Sequence, residues 1–228
     1  MTPKESYTAP ESTLQKYKLF FDMEEKNITT PRNTASAPRK TRLDLVVGIN
    51  GTGKTTWLRT EVVERQRKVL VLTPDEAEWR HLPKVSTAME IYQLQGAARY
   101  VCSDPQHIDN DISLISRSFY GGSLVLDDAR AYIGCMTGQS TNYLYIRRRQ
   151  YGVDIYLVAH ALDQVPKQAF TYATFLHLFY TTGNIQYRKR DLDPDTFALI
   201  ERMKEQVKQA VLKGDKHACA HIKIDQSL

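Results

Sequence analysis

An α/β fold is what the sequence predicts: a three-layer sandwich with a mostly parallel central sheet and helices on both faces. Two observations carry that expectation. From residue 43 onward, short apolar runs alternate with helical stretches, the order in which crossover helices lay strands side by side. The first run, Leu43 to Val47, leads directly into Gly48-Ile49-Asn50-Gly51-Thr52-Gly53-Lys54-Thr55-Thr56, and a helical pattern follows it.

The elements then read in order. Thr52 to Gln66 has the pattern of a helix, and Val69 to Leu72 is a second buried strand, stopped by Thr73-Pro74. Helices are expected around 86 to 100 and 108 to 119. Gly121-Gly122 breaks the chain before a third strand, Ser123 to Asp127. Thr141 to Gln150 is helical and rich in arginine; Asp154 to Ala159 and Phe175 to Thr181 are a fourth and a fifth strand. Asp195 to Leu212 is a long helix capped near Asp193, and His217 to Asp225 alternates as an edge strand does. There is no internal repeat.

Residues 1 to 42 form a different region. They carry prolines at 3, 10, 31 and 38 among many Thr and Ser, and Thr29 to Arg42 reads as a basic linker. Leu14, Tyr17 and Phe21 are spaced for one face of a short amphipathic helix that docks on the core, a neighbouring subunit or a lipid surface. Residues 43 to 228 make up the second region, the α/β domain.

Composition bounds the function classes. The chain has 228 residues, 42% hydrophobic and 25% charged, which fits one substantial core. Its net charge of +5 is compatible with a nucleic-acid partner without requiring one. Cys102, Cys135 and Cys219 are far apart and odd in number, which suggests a reducing interior rather than a disulfide framework. No apolar run approaches the roughly 18 residues of a transmembrane helix, and the polar N-terminus does not read as a secretory signal. The expected location is the cytoplasm of a host cell.

The loop after the first strand is the strongest chemical signal. Glycines let successive N–H groups turn inward to phosphate oxygens. Lys54 is placed to reach β and γ phosphates, and the Thr55 hydroxyl is a magnesium ligand of the expected type. Ser123-Leu-Val-Leu-Asp127-Asp128 is an apolar strand ending in two acids, expected beside the strand that carries the loop. Asp127 fits the second magnesium ligand, and Asp128 fits the group that polarises an attacking water. His160 ends the next strand, where a side chain senses the γ-phosphate.

Arg147-Arg148-Arg149 precedes that strand; one of the three is suited to act on a neighbouring subunit's nucleotide, and others to contact DNA phosphates. Residues 144 to 190 hold seven basic residues (Arg147, Arg148, Arg149, Lys167, Arg188, Lys189, Arg190) against Asp154 and Asp163, an excess equal to the whole chain's +5. Tyr143, Tyr145, Tyr151 and Tyr187 are interleaved, a composition that fits both a nucleic-acid track and ordinary surface tyrosines. His217, Cys219 and His221 alternate without an evident fourth metal ligand, so an ordinary edge strand is the simpler reading; Cys102 and His107 lack metal partners as well.

Taken together, the phosphate loop, the strand ending in Asp127-Asp128, the arginine-rich helix and Arg149-Gln-Tyr-Gly152-Val-Asp-Ile-Tyr-Leu-Val-Ala-His160 resemble the FtsK–HerA superfamily of P-loop ATPases. The resemblance spans about residues 43 to 182 and is strongest to the genome-packaging ATPases of tailless, membrane-containing, tectivirus-like phages. It implies a RecA-like P-loop NTPase fold of the additional-strand type. It implies a ring, usually of six copies, with ATP and Mg2+ between subunits and double-stranded DNA in the channel. It also implies a capsid or membrane-vertex partner, a virion-associated location during packaging, and Arg149 or a neighbour acting across the subunit boundary. Two departures stand out: His160 replaces the usual Gln, and Asp128 the usual Glu. The toxin-like assembly ATPases of filamentous phages are related but carry a membrane-spanning helix after the ATPase domain, which favours packaging here. The other readings are a phage assembly or secretion ATPase, a small-molecule P-loop kinase, and a nucleotide-binding protein without turnover. No motif separates ATP from GTP.

Overall fold

The computed structural model of the chain describes residues 40–102, 104, 106–132 and 139–224. The expected N-terminal helix around Leu14, Tyr17 and Phe21 lies outside the described residues, as does Cys135.

Seven strands form one sheet: β1 (Leu43–Val47), β2 (Lys68–Thr73), β3 (Gly96–Val101), β4 (Gly122–Leu126), β5 (Val153–Ala159), β6 (Phe175–Phe179) and β7 (Cys219–Lys223). Their order across the sheet is β3-β2-β4-β5-β1-β6-β7. The first six are parallel, and β7 closes one edge antiparallel to β6. β1 runs in register with β5 from Leu43 opposite Ile155 to Val47 opposite Ala159. All five residues of β1 and all seven of β5 are buried, as parallel strands covered on both faces must be.

The helices are α1 (Lys54–Leu58), which passes into a π-helical turn over Arg59–Val63, then α2 (Ala88–Tyr92), α3 (Ile108–Ser118), α4 (Gln139–Tyr151), α5 (Lys167–Tyr172) and α6 (Pro194–Leu212). One apolar cluster joins Leu45, Leu70, Leu124, Ile155, Ile112 and Tyr145; the other joins Val46, Leu58, Val71, Trp79, Tyr156 and Phe179 on the opposite face. α6 starts as its sequence requires: Asp193 accepts the Thr196 backbone N–H at 2.9 Å, and Pro194 stands where an N–H has no helical partner.

Three expectations need correction. The 86–100 stretch is not one helix: a five-residue α2, closed by a Thr87–Glu90 capping box, gives way to β3. β3 pairs with β2 in full register from Lys68 opposite Gly96, and that pairing overrides the local helical pattern. The helix expected to reach Gln66 ends its α-helical run at Leu58 and its π-helical turn at Val63. Finally, the strand ending in Asp127 is not next to the strand carrying the phosphate loop: β5 lies between β4 and β1. That inserted strand is what the additional-strand type means.

Gly122 sets the start of β4. Its φ is 130°, and a Cβ there would come within 2.5 Å of the Lys68 carbonyl oxygen on β2. Strain of this kind costs about 1–3 kcal/mol. Gly122→Ala is therefore expected to lower unfolding stability by at least that much, read as a shift of the urea midpoint.

Candidate nucleotide site

All the loops that bear candidate chemistry leave the sheet at the carboxyl ends of parallel strands, where open α/β sheets bind ligands. The phosphate loop follows β1. The Gly48 N–H donates to the Ala159 carbonyl at 3.1 Å and the Ile49 N–H to the Tyr180 carbonyl at 2.9 Å, which ties the loop to the ends of β5 and β6. Gly51 and Gly53 have φ of 77° and 97°, values open to glycine, and they turn the chain into α1. The buried Thr52 hydroxyl donates to the Ile49 carbonyl at 2.8 Å and holds the loop's curve. Lys54 is buried, and its Nζ donates to the Gly48 and Ile49 carbonyls at 2.5 and 2.9 Å. Burial lowers the Lys54 pKa, and the charges of Asp127, Glu78 and Asp128 oppose that shift. Asn50 and Thr56 are exposed at the rim.

Asp127 and Asp128 follow β4, and the Asp127 N–H donates to the Leu72 carbonyl at 2.9 Å. The Asp127 side chain is 5% exposed. Its Oδ2 accepts the Trp79 indole N–H at 2.7 Å, and its Oδ1 accepts the Asp128 backbone N–H at 3.1 Å. Burial pushes its pKa up to about 6, and the neighbouring Glu78 and Asp128 carboxylates add to the rise. Asp128 has φ of 49°, uncommon for a residue with a side chain although aspartate is among those that tolerate it. Its Oδ1 lies 3.2 Å from Arg130 Nε and 3.5 Å from His160 Nε2. His160 follows β5, and burial together with Lys54 and Arg130 lowers its pKa.

The donor set here, Thr55, Asp127 and Glu78 around one lysine, is hard oxygen of excess negative charge, which suits Mg2+ beside a polyphosphate. Glu78 and Trp79 come from Pro74–Leu82, a stretch with no motif in the sequence. The capping chemistry of its Asp75 hints at a turn, and nothing hints at a site. Arg130, two residues past Asp128, pairs with it through a turn that the sequence pattern does not mark.

The basic residues lie elsewhere. α4 ends at Tyr151 just before β5 begins, so Arg147, Arg148 and Arg149 stand at the amino end of that strand. The seven residues of β5 put about 20 Å between them and the phosphate loop. Arg148 is buried and donates to the Tyr145 and Tyr172 carbonyls at 2.6 and 3.3 Å, so its guanidinium faces inward. Arg147 stacks 3.9 Å over the exposed Tyr143 ring, and Arg149 is exposed. Lys167 pairs with Asp191 at 2.5 Å and Arg188 with the same carboxylate at 3.6 Å; Lys189 and Arg190 are exposed, as is Tyr187.

No group of three or more His, Cys, Asp or Glu residues among the described ones can hold a metal ion on its own. His221 instead meets His177, Nδ1 to Nδ1 at 2.7 Å, and His217 lies against Gly53 of the phosphate loop. Cys219 is a half-buried thiol on the edge strand, its pKa pushed up to about 12 by burial. Cys102 and His107 bond to Asp111 and Asp104 respectively.

The raised Asp127 pKa gives a stability test. The unfolded carboxylate titrates near 3.8 and the folded one near 6, so the folded state is penalised as pH rises through that window, and fully above it. Asp127→Asn is expected to stabilise the nucleotide-free chain at pH 8 by on the order of 1–3 kcal/mol. Thermal melts at pH 8 and pH 3 should show the gain at the higher pH and almost none at the lower.

No family model matches the chain, and no curated protein matches it by sequence. Solved structures do match. The genome packaging NTPase B204 from Sulfolobus turreted icosahedral virus 2, in complex with AMP, aligns at TM-score 0.58 with 11% identity, covering 83% of this chain and 94% of that one. B204 of Sulfolobus Turreted Icosahedral Virus, a DNA-packaging ATPase, aligns at 0.54 with 10% identity, covering 82% and 94%. The N-terminal domain of zonular occludens toxin from Neisseria meningitidis overlaps at only 0.33 with 13% identity, covering 62% and 78%, and carries no argument. The α/β fold that the sequence predicts, a mostly parallel sheet packed with helices, is thus the fold this chain shares with viral B204.

Proposed function

We propose that this chain is an ATP-hydrolysing motor that moves double-stranded DNA into a viral capsid, working as a ring of identical copies. The observation that carries the reading is the meeting of Lys54, Asp127, Asp128 and His160 at the carboxyl ends of three neighbouring strands, behind a glycine loop. The shared fold with the packaging NTPase B204 supports it.

In this reading the loop amides and Lys54 bind the polyphosphate, and Thr55 with Asp127 would hold Mg2+, which would supply charge neutralisation for the transferred phosphoryl group. His160, kept neutral by its surroundings, hydrogen-bonds the γ-phosphate or the water. Asp128 takes a proton from that water as the water oxygen bonds to the γ-phosphorus. The bond from phosphorus to the bridging oxygen breaks, its electron pair stays on ADP, and inorganic phosphate leaves.

Arg149 and Arg147, at the amino end of β5, are about 20 Å from the phosphate loop of their own chain, too far to serve its nucleotide. A neighbouring copy in a ring brings them to it, which is the reason to assign them across the boundary. The exposed Lys189 and Arg190 join the DNA-facing charge; Lys167 and Arg188, tied to Asp191, are the weaker members. Among the described residues no helix is long and apolar enough to cross a membrane. Residues 1 to 42 are assigned to attachment at a capsid or membrane vertex.

Lys54→Ala should cut ATP hydrolysis by about 100-fold or more, and an unchanged rate would remove the site. Double-stranded DNA should stimulate hydrolysis; ADP release that requires a nucleoside acceptor would instead identify a kinase. Mixing inactive Lys54→Ala with inactive Arg149→Ala should restore part of the activity, because mixed rings pair an intact loop with an intact arginine. No recovery at any ratio would overturn the role of Arg149 between subunits.

A further inference from the structure

Glu78 belongs to the oxygen-rich set around Lys54 but has no role in the hydrolysis described above. Its Oε1 accepts a hydrogen bond from the Thr55 hydroxyl at 2.8 Å. The next residue, Trp79, is fully buried and gives its indole N–H to Asp127 at 2.7 Å. Two consecutive residues therefore grip the two side chains assigned to the cation. The segment that carries them is tied down along its length. The Ala77 N–H donates to Asp75 at 2.7 Å, the Leu82 N–H to the Trp79 carbonyl at 2.9 Å, and Arg99 Nε to the Leu82 carbonyl at 3.2 Å.

The direction of the Thr55 bond matters. A hydroxyl has one hydrogen and two lone pairs. With the hydrogen committed to Glu78, the lone pairs are free for a cation, and the hydroxyl's orientation is fixed before any cation arrives. Outer-shell carboxylates orient metal ligands in this way and raise their donor strength.

We propose that Glu78 is a positioning residue of the magnesium site: it orients the Thr55 hydroxyl as a ligand and adds the negative charge that holds the divalent ion, with Trp79 as its buried anchor. This inference rests on the nucleotide reading above. It gives the unassigned segment after β2 a task, and it accounts for the carboxylate that meets the Thr55 hydroxyl.

Mn2+ binding to the full chain with a non-hydrolysable ATP analogue bound, followed by electron paramagnetic resonance, tests it. Glu78→Gln should weaken Mn2+ binding by about 10-fold or more. Affinity for the analogue without metal should stay the same or tighten, because a negative charge near the polyphosphate is gone. Glu78→Asp should recover part of the Mn2+ affinity, and Glu76→Gln, two residues away and paired with Lys84 at 2.5 Å, should leave it unchanged. Glu78 is exposed, so these variants are expected to melt as the unsubstituted chain does. Unchanged Mn2+ affinity in Glu78→Gln, with the analogue bound normally, overturns the role of Glu78 alone. Absence of any nucleotide-dependent Mn2+ site in the unsubstituted chain overturns the nucleotide reading, and this role with it.

Discussion

The Asp127 carboxylate is the point on which the site turns. It is nearly removed from water, and its only direct neutral support is one indole N–H and one backbone N–H. Two further carboxylates, Glu78 and Asp128, lie close enough to raise its pKa, and Lys54 supplies the nearby positive charge. An arrangement with this charge excess is held against its own repulsion by the sheet around it. Its excess of negative charge suits a cation.

The inserted strand gives that charge its room. β5 lies between β1 and β4, so the ends of those two strands are two strand spacings apart, about 10 Å. The phosphate loop and the acids therefore leave the sheet on either side of β5. β5 also delivers His160 between them, within 3.5 Å of Asp128. The arginines stand at the other end of this strand, in the last turns of α4. One buried strand thereby separates the acids and the phosphate loop from the arginine-rich end of α4.

Burial divides the three arginines, which are equivalent in composition. Successive helix positions point about 100° apart, so a run of three cannot share one environment. Arg148 turns into the core and is held by two carbonyls, Arg147 lies flat on Tyr143, and Arg149 faces water.

The sequence by itself determined the strand that opens the fold, the phosphate loop, the acids after β4, the long capped helix and the edge strand. In each case the information is local: a glycine spacing, an apolar run, an Asp-Pro cap. It left the identity of 86–100 open to misreading, because β3 exists through its pairing with β2 rather than through its own pattern. Tertiary structure alone decided that β5 stands between β4 and β1, that Arg148 is internal, and that Glu78 and Trp79 reach Thr55 and Asp127. Those facts depend on contacts between residues 23 and 48 positions apart, which no local spacing encodes. Chain order sets which groups exist; the packing of parallel strands sets which of them meet.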